Sequence, residues 1–232
     1  MKIALVDGDI VAYRCAASAE NDDMSIALMR TDILMKDIMD NTQATSHKVF
    51  LSGSKDSNFR YTVNPSYKAN RIGKPEPKHL AACKQFLVTH WGAVVCDGHE
   101  ADDALGYSQT HETIICSIDK DLLQITGSHY NIVKKTYTQV EGDQGLKAFY
   151  TQTLVGDTSD NIIGVVGIGP VKAAKILDPL EPEEWYDACK DLYCGDVERY
   201  HNNCKLLWIW RVPNGVWQTP NLLEEEGTPF PT

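Results

Sequence analysis

The chain opens on an apolar run, Lys2-Ile3-Ala4-Leu5-Val6-Asp7, whose length and abrupt polar end predict a short buried strand over residues 2–7. A helix is expected from Ile10 to Ala19, and residues 24–39 (MSIALMRTDILMKDIM) place apolar side chains at near-helical spacing. Residues 48–51 (KVFL) predict a second strand. The stretch 52–76 is polar and basic, and Pro65, Pro75 and Pro77 exclude one long helix there. Residues 78–91 predict a helix. The apolar runs 93–96 (AVVC) and 113–118 (TIICSI) predict buried strands, with 130–133 (YNIV) as a further candidate. After about residue 143 the strand pattern fades, and 144–211 read as mainly helical, with a last helix near 196–211. The tail from Pro213, with Pro220, Pro229 and Pro231, is expected to be irregular.

Strands alternating with helices predict an α/β fold over residues 1–142, with a mostly parallel central sheet flanked by helices. A helical region over 143–212 and a tail over 213–232 would follow. The 232 residues are 43% hydrophobic and 23% charged, as in ordinary folded proteins, which excludes a disordered or collagen-like chain. No apolar run approaches the roughly 18 residues of a membrane span, and the N-terminus turns acidic at Asp7, too early for a signal peptide. The seven cysteines are odd in number and lack a C-x-x-C pair, so reduced thiols in a cytoplasmic setting are expected.

The net charge of −10 weighs against a broadly basic nucleic-acid surface, but its distribution is uneven. Between Arg60 and Lys84, six basic residues (Arg60, Lys68, Arg71, Lys74, Lys78, Lys84) face the single acid Glu76, a local charge of +5. Tyr61 and Tyr67 interleave with them, a mixture that suits phosphates and unstacked bases of nucleic acid; a solvated basic loop is the alternative. The carboxylates are also placed unevenly. Asp7 ends the first strand, and Glu100, Asp102 and Asp103 open a helix in HEADDALGY. Asp119 and Asp121 follow the strand TIICSI, and Asp157 and Asp160 share the turn GDTSDN. Strand ends and adjoining helix starts form the ligand crevice of parallel α/β sheets. Each acid alone could be a helix cap or a solvated side chain. Brought together, like charges ~4 Å apart repel by ~4 kcal/mol at an effective dielectric of 20. Such a cluster calls for hard divalent cations, magnesium, manganese or calcium, over zinc. Two such ions ~3.5–4 Å apart suit phosphodiester hydrolysis. Finally, GVVGIGPVKAAKIL (164–177) combines Gly164, Gly167 and Gly169 with Pro170 at a helix start, followed by Lys172 and Lys175. Such a turn can hold a backbone phosphate without reading bases.

LVDGD (5–9), FRYTVNPSYKANR (59–71), EADDALG (100–106), SIDKDLLQI (117–125) and GDTSDNIIGVVGIGPVKAAKIL (156–177) together resemble the 5′-nuclease (flap endonuclease) superfamily. Its members include the 5′-nuclease domain of bacterial DNA polymerase I and the stand-alone 5′–3′ exonucleases of tailed bacteriophages, whose branch VDGDIVAYRCAASAE most resembles. The resemblance implies a PIN-like fold and a divalent-metal-dependent 5′–3′ exonuclease and flap endonuclease. Asp7, Glu100, Asp102 and Asp103 would hold one Mg2+, and Asp119, Asp121, Asp157 and Asp160 a second, with Mn2+ as a substitute. Lys68 would orient the scissile phosphate; Tyr67 and Arg71 would touch DNA near the reacting end, and Arg60 would line the same channel. A helix-three-turn-helix over about 150–177 would grip the duplex through Gly167, Gly169, Lys172 and Lys175 and could hold K+. Residues 68–90 would form an arch. The implied partner is DNA with a 5′ end, gap or flap, or RNA in an RNA–DNA hybrid. The resemblance also implies a monomer in the host cytoplasm, with a separate polymerase as a possible partner.

Two departures stand out. Ser52 and Gly53 occupy the end of the second strand, where relatives often carry an aspartate, and Asp56 is out of register. Only 28 residues separate Arg71 from Glu100, so the arch is short. Two other readings stay open: a haloacid-dehalogenase-like phosphatase using Asp7 as nucleophile and Asp9 as general acid, and a DNA-binding module without turnover.

Overall fold

The computed structural model describes residues 2–220. Its first strand, β1 (Ile3–Asp7), is followed by α1 (Gly8–Ser18), α2 (Met24–Thr42), β2 (Ser46–Leu51), the short α3 (Arg60–Val63) and α4 (Leu80–Trp91). Next come β3 (Val94–Val95), α5 (Ala101–Ser108), β4 (Thr113–Ser117), β5 (Gly127–Asn131) and β6 (Thr136–Val140). The C-terminal part contains α6 (Gln144–Val155), the ribbon strands β7 (Gly156–Asp157) and β8 (Ile162–Ile163), α7 (Pro170–Leu177), α8 (Trp185–Asp191) and α9 (Val197–Leu207).

Strands β1 to β6 form one sheet in the order β3-β2-β1-β4-β5-β6, parallel throughout except for the antiparallel β5–β6 edge. This is the mostly parallel α/β sheet expected from the sequence. Central strands covered on both faces must be apolar on both, which is why IALVD and TIICS read as continuous runs. One face packs Ala4, Val6, Ile114 and Cys116 against α1, α2 and α4; the other packs Leu5, Phe50 and Ile115 against Ala104 and Leu105 of α5. The register pairs Asp7 with Phe50 and Val6 with Cys116, so the carboxyl ends of β1, β2 and β4 finish together at one edge of the sheet. A second core, built on Phe149, Tyr150, Leu154, Tyr200 and Trp208, holds the C-terminal helices together.

Three elements differ from the sequence reading. The candidate strand at 130–133 is present but shifted, as β5 (Gly127–Asn131); residues 132–135 form the turn of a β5–β6 hairpin, in which Lys135 has a φ of 55°. β6 (TYTQV) is an edge strand exposed along most of its length, so it lacks the apolar signature that marks buried strands. α4 packs into the helical layer instead of an arch: Leu80, Cys83 and Leu87 are buried against α1 and α2, and Lys78 and His79 bond to Glu20 and Asp22, leaving residues 68–77 outside that packing. α9 ends at Leu207, and Trp208–Trp210 continue as an extended, buried segment. Residues 211–219 are irregular, and the rest of the tail expected over 213–232, with Pro229 and Pro231, lies outside the described residues from 221 on. Among the described residues, no helix is long and apolar enough to cross a membrane.

Candidate active site

The site is built where the strands end. Asp7 closes β1 and caps α1: its Oδ1 accepts from the Ile10 N–H at 3.1 Å and its Oδ2 from the Ser117 hydroxyl at 2.7 Å. The Ser117 oxygen in turn accepts the Asp119 N–H at 3.0 Å, and Asp119 Oδ1 accepts the Asp121 N–H at 2.9 Å. One hydroxyl at the end of β4 thus couples the acid of β1 to the acidic turn after β4. Asp102 enters from the first turn of α5. Burial, reinforced by Asp9 and Asp119, pushes the Asp7 carboxyl up to about 7. Burial likewise drives Asp102 well above the usual carboxylate range, with Asp7, Asp119 and Glu100 adding to it. Asp121 rises to about 7 through burial and then Asp119, and Asp119 rises through burial and then Asp160 and Asp157. The acids of four separate sequence segments therefore feel one another's charge.

Glu100 behaves differently. Burial pushes its carboxyl up, but the Lys68 ammonium and the Arg60 guanidinium outweigh it and hold Glu100 below its ordinary value. Its Oε1 accepts from Lys68 Nζ at 2.7 Å and Asn58 Nδ2 at 3.1 Å, and its Oε2 accepts from the Tyr67 hydroxyl at 3.0 Å. Lys68 also lies 3.6 Å from Asp160 Oδ2. It sits in the left-handed region at φ 54°, a conformation that non-glycine residues hold only under surrounding constraint. The constraint is visible: Lys68 N–H donates to Asp160 O at 2.9 Å, Asn70 Nδ2 to Thr158 O at 2.6 Å and Arg71 Nη2 to Asp160 Oδ1 at 2.6 Å. Asn161 Nδ2 returns a bond to Ser66 O at 2.9 Å. The basic loop is clipped to the turn between β7 and β8. There Asp157 Oδ1 organises the turn by accepting from Ser159 and Asp160.

The oxygen-only donor set and the raised carboxyl values fit hard divalent cations, because burial and mutual repulsion leave these acids short of positive charge. Among the described residues, no three His, Cys, Asp or Glu side chains already enclose an ion-sized space. Lys68, Arg71 and Tyr67 instead stand against Glu100 and Asp160.

Three site residues differ in role from the sequence expectation. Arg60 lines no channel: it is 2% exposed, and its guanidinium grips Asp103 at 2.6 and 2.9 Å. Asp103 is fully buried and takes those bonds plus the Glu100 N–H at 3.1 Å and the Trp210 N–H at 3.3 Å, so it faces inward. Tyr67 is 2% exposed and presents its hydroxyl to Glu100 and Asp160 rather than its ring to a base. Asn58 and Ser117, to which the sequence reading gave no role, and Ser52, which it noted only as standing where relatives carry an aspartate, complete the frame. Ser52 Oγ accepts the Ala101 N–H at 3.0 Å, and its own N–H donates to Asp9 Oδ2 at 2.8 Å. Their signal was position: each stands at or just past a strand end or beside FR.

Gly53 has a steric reason: a Cβ there would lie 1.9 Å from the Cys96 carbonyl oxygen, so no aspartate fits without moving the chain. Asp9 is tied to Ser52 and, at 2.6 Å, to Lys84. That tether deprives the phosphatase reading of a free general acid.

In the glycine turn, Gly167 and Gly169 flank the buried Ile168, while Lys172 and Lys175 project from α7 into solvent. Gly169, Pro170, Val171, Lys172 and Lys175 line a shallow concavity of about 430 Å³ at the start of that helix.

Residues 2–152 match the family described as 5′-3′ exonuclease, N-terminal resolvase-like domain. The chain is 31% identical over 206 residues to a 5′-3′ exonuclease of Mycoplasma pneumoniae, covering 75% of this chain and 70% of that protein. It is 29% identical over 209 residues to a 5′-3′ exonuclease of Mycoplasma genitalium, covering 76% and 71%. The T5 D15 protein co-crystallised with metal ions shares the fold with a TM-score of 0.70 at 18% identity, over 89% of each chain. Family domain, relatives and fold agree with the acidic strand-end site, and the chain belongs to the 5′–3′ exonuclease family, within the 5′-nuclease superfamily.

Proposed function

We propose that this nuclease hydrolyses DNA phosphodiesters from the 5′ end, as a divalent-metal-dependent 5′–3′ exonuclease and flap endonuclease. The observation that carries the reading is the convergence of Asp7, Asp102, Asp119 and Asp121, all raised by burial and mutual repulsion, beside the cationic loop of Lys68 and Arg71. Asp7, Glu100 and Asp102 would hold one ion; Asp119, Asp121, Asp157 and Asp160 would hold the other. Asp103 supports the first group from behind. Two Mg2+ ions, with Mn2+ able to replace them, would supply the charge that stabilises the attacking and leaving oxygens.

The chain's own residues do the rest. The Lys68 ammonium, held at the rim by Glu100 and Asp160, is placed to donate to a non-bridging phosphate oxygen and to stabilise charge as it develops. The Tyr67 hydroxyl spans Glu100 and Asp160 and keeps their spacing. Arg71, about half exposed, can exchange its carboxylate for a DNA phosphate. Lys172, Lys175 and the turn at Gly167 and Gly169 contact the duplex backbone without base readout, with K+ as a candidate ion in that turn. The substrates that suit this arrangement are DNA with a free 5′ end, a gap or a flap, and RNA in an RNA–DNA hybrid. The protein would act as a monomer in the cytoplasm, beside a separate polymerase.

The test is digestion of 5′-blunt, gapped and flapped DNA labelled at either end, with magnesium or with chelator, alongside Asp119→Asn. Magnesium-dependent release from the 5′ end, lost in the variant, is the expected result. DNA binding without any cleavage would reduce the protein to a binding module.

A further inference from the structure

The family domain ends at residue 152, yet a segment more than fifty residues later in the sequence returns to the acidic face. Past α9 the chain runs extended through Trp208, Ile209 and Trp210, which are 3%, 3% and 5% exposed. Arg60 Nε donates to Leu206 O and Arg60 Nη2 to Trp208 O, both at 2.9 Å. Gln124 Nε2 donates to Leu207 O at 2.9 Å, and Arg211 Nη2 donates back to Gln124 O at 3.0 Å. Ile209 packs in the same core as Ala104 and Leu105 of α5. The strap lies so close to this helix that a Cβ on Gly106 would meet Trp210 O at 2.4 Å and the Ile209 side chain at 2.7 Å.

Asp103 is the joint. It receives the Trp210 N–H from the strap, the Arg60 fork from α3 and the Glu100 N–H from the start of α5. α5 has only eight residues, and its start carries Glu100, Asp102 and Asp103 side by side. The helix dipole favours acids at this end, and Asp103 closes the turn from within by accepting the Glu100 N–H; the Arg60 fork and the Trp210 N–H then fix Asp103 itself from outside the helix.

We propose that the strap of residues 206–211 is a working part of the nuclease centre: through Arg60 and Asp103 it fixes the start of α5 and so positions Glu100 and Asp102 for metal. Asp103 and Arg60 are positioning residues in this scheme, which rests on the metal-dependent reading above. Groups that orient metal ligands from behind typically change metal affinity by about 10–100-fold when altered.

The experiment measures Mn2+ binding to the full chain by electron paramagnetic resonance, with thermal melting as the check on folding. Gly106→Ala pushes the strap away while favouring the helix, and Arg60→Lys keeps the charge but loses the fork. Both are expected to melt cooperatively and to need about tenfold more Mn2+ for half-saturation, with kcat recovering at saturating Mn2+. Asp103→Asn, which retains an acceptor for the Glu100 N–H, is expected in the same range, whereas Asp102→Asn loses an ion outright. If Gly106→Ala and Arg60→Lys bind Mn2+ like the parent, the strap is scaffolding only and the proposal fails. If Asp103→Asn loses an ion as completely as Asp102→Asn, Asp103 is a ligand and the relay is wrong. A parent protein that binds no Mn2+ overturns the metal-dependent reading itself, a result separable from either of these. Should Arg60→Lys melt without cooperativity, Gly106→Ala still decides, because it adds a good helix former at an allowed backbone angle.

Discussion

Asp7→Asn is expected to make the metal-free protein more stable while abolishing its function. The Asp7 carboxyl is 3% exposed and is pushed up from 3.8 to about 7, mainly by burial. A carboxyl raised on folding binds its proton more tightly in the native state. Its contribution is therefore most favourable below pH 4 and is lost as pH rises through about 7. The displacement of about three pH units corresponds to about 4 kcal/mol above pH 7 and about 2 kcal/mol at pH 5.5. Asparagine removes this ionisation and keeps the local bonds: its Oδ1 can still accept from Ile10, and its amide can donate to the Ser117 oxygen. Urea denaturation in chelator at pH 5.5 and pH 8 measures the effect. The stability gap between variant and parent should widen from about 2 to about 4 kcal/mol between those two pH values. Added magnesium should close it by stabilising the parent more than the variant. A variant no more stable than the parent at pH 8, or a gap that does not grow with pH, would refute the view that Asp7 is held uncompensated.

Three further outcomes follow from the same geometry. Lys68→Met should lower kcat by about 10²–10³ in single-turnover cleavage at saturating Mg2+, since the ammonium acts on developing charge, and should lower the melting temperature in chelator, since it takes a counter-charge from the buried Glu100; an unchanged kcat would remove it from the mechanism. Arg60→Met should cost about 3–5 kcal/mol in chemical denaturation, because it strands the buried Asp103 charge. A loss under 1 kcal/mol would mean that the Arg60–Asp103 pair is not what holds this segment of the fold. The double variant Lys172→Ala/Lys175→Ala should weaken duplex binding and reduce the slope of log affinity against log salt by about 2; an unaltered slope would place the duplex elsewhere.

The sheet was legible because its central strands are buried on both faces, which forces continuous apolar runs such as LV before Asp7 and TIICS before Asp119. The positions of the acids were legible for the same reason: they stop those runs. β6 left no trace because TYTQV borders solvent. The core role of α4 was readable from Leu80, Cys83 and Leu87 at helical spacing, and it was the resemblance that assigned this stretch to an arch. What no local pattern could supply is the division of labour among like residues. Arg60 and Lys68 stand in one basic stretch, but Arg60 is sealed by carbonyls 146 and 148 residues away, whereas Lys68 faces the acids. The strap that makes this difference carries no charge pattern of its own; its record in the sequence is Gly106, which leaves room for it.

Asp102 and Asp103 show why position in a motif does not settle chemistry. They are adjacent and chemically identical, with Asp103 fully buried and Asp102 partly so. Asp103 accepts four N–H bonds, two of them from the Arg60 guanidinium, and its charge is balanced within the fold. Asp102 has Asp7, Asp119 and Glu100 for electrostatic neighbours, which outweigh the opposing Lys68. A buried charge with a complete set of partners holds structure together; a buried charge among its own kind stores free energy that a cation can release. The same distinction reconciles a chain of net charge −10 with a DNA substrate. Its uncompensated acids, Asp7, Asp102, Asp119 and Asp121, are concentrated at one place, where divalent ions would cancel their charge. Lys68 and Arg71 border that place on a loop clipped to the β7–β8 turn. Phosphate is then attracted where the bare protein would repel it, so affinity for DNA should rise with divalent cation at low concentration and fall with monovalent salt.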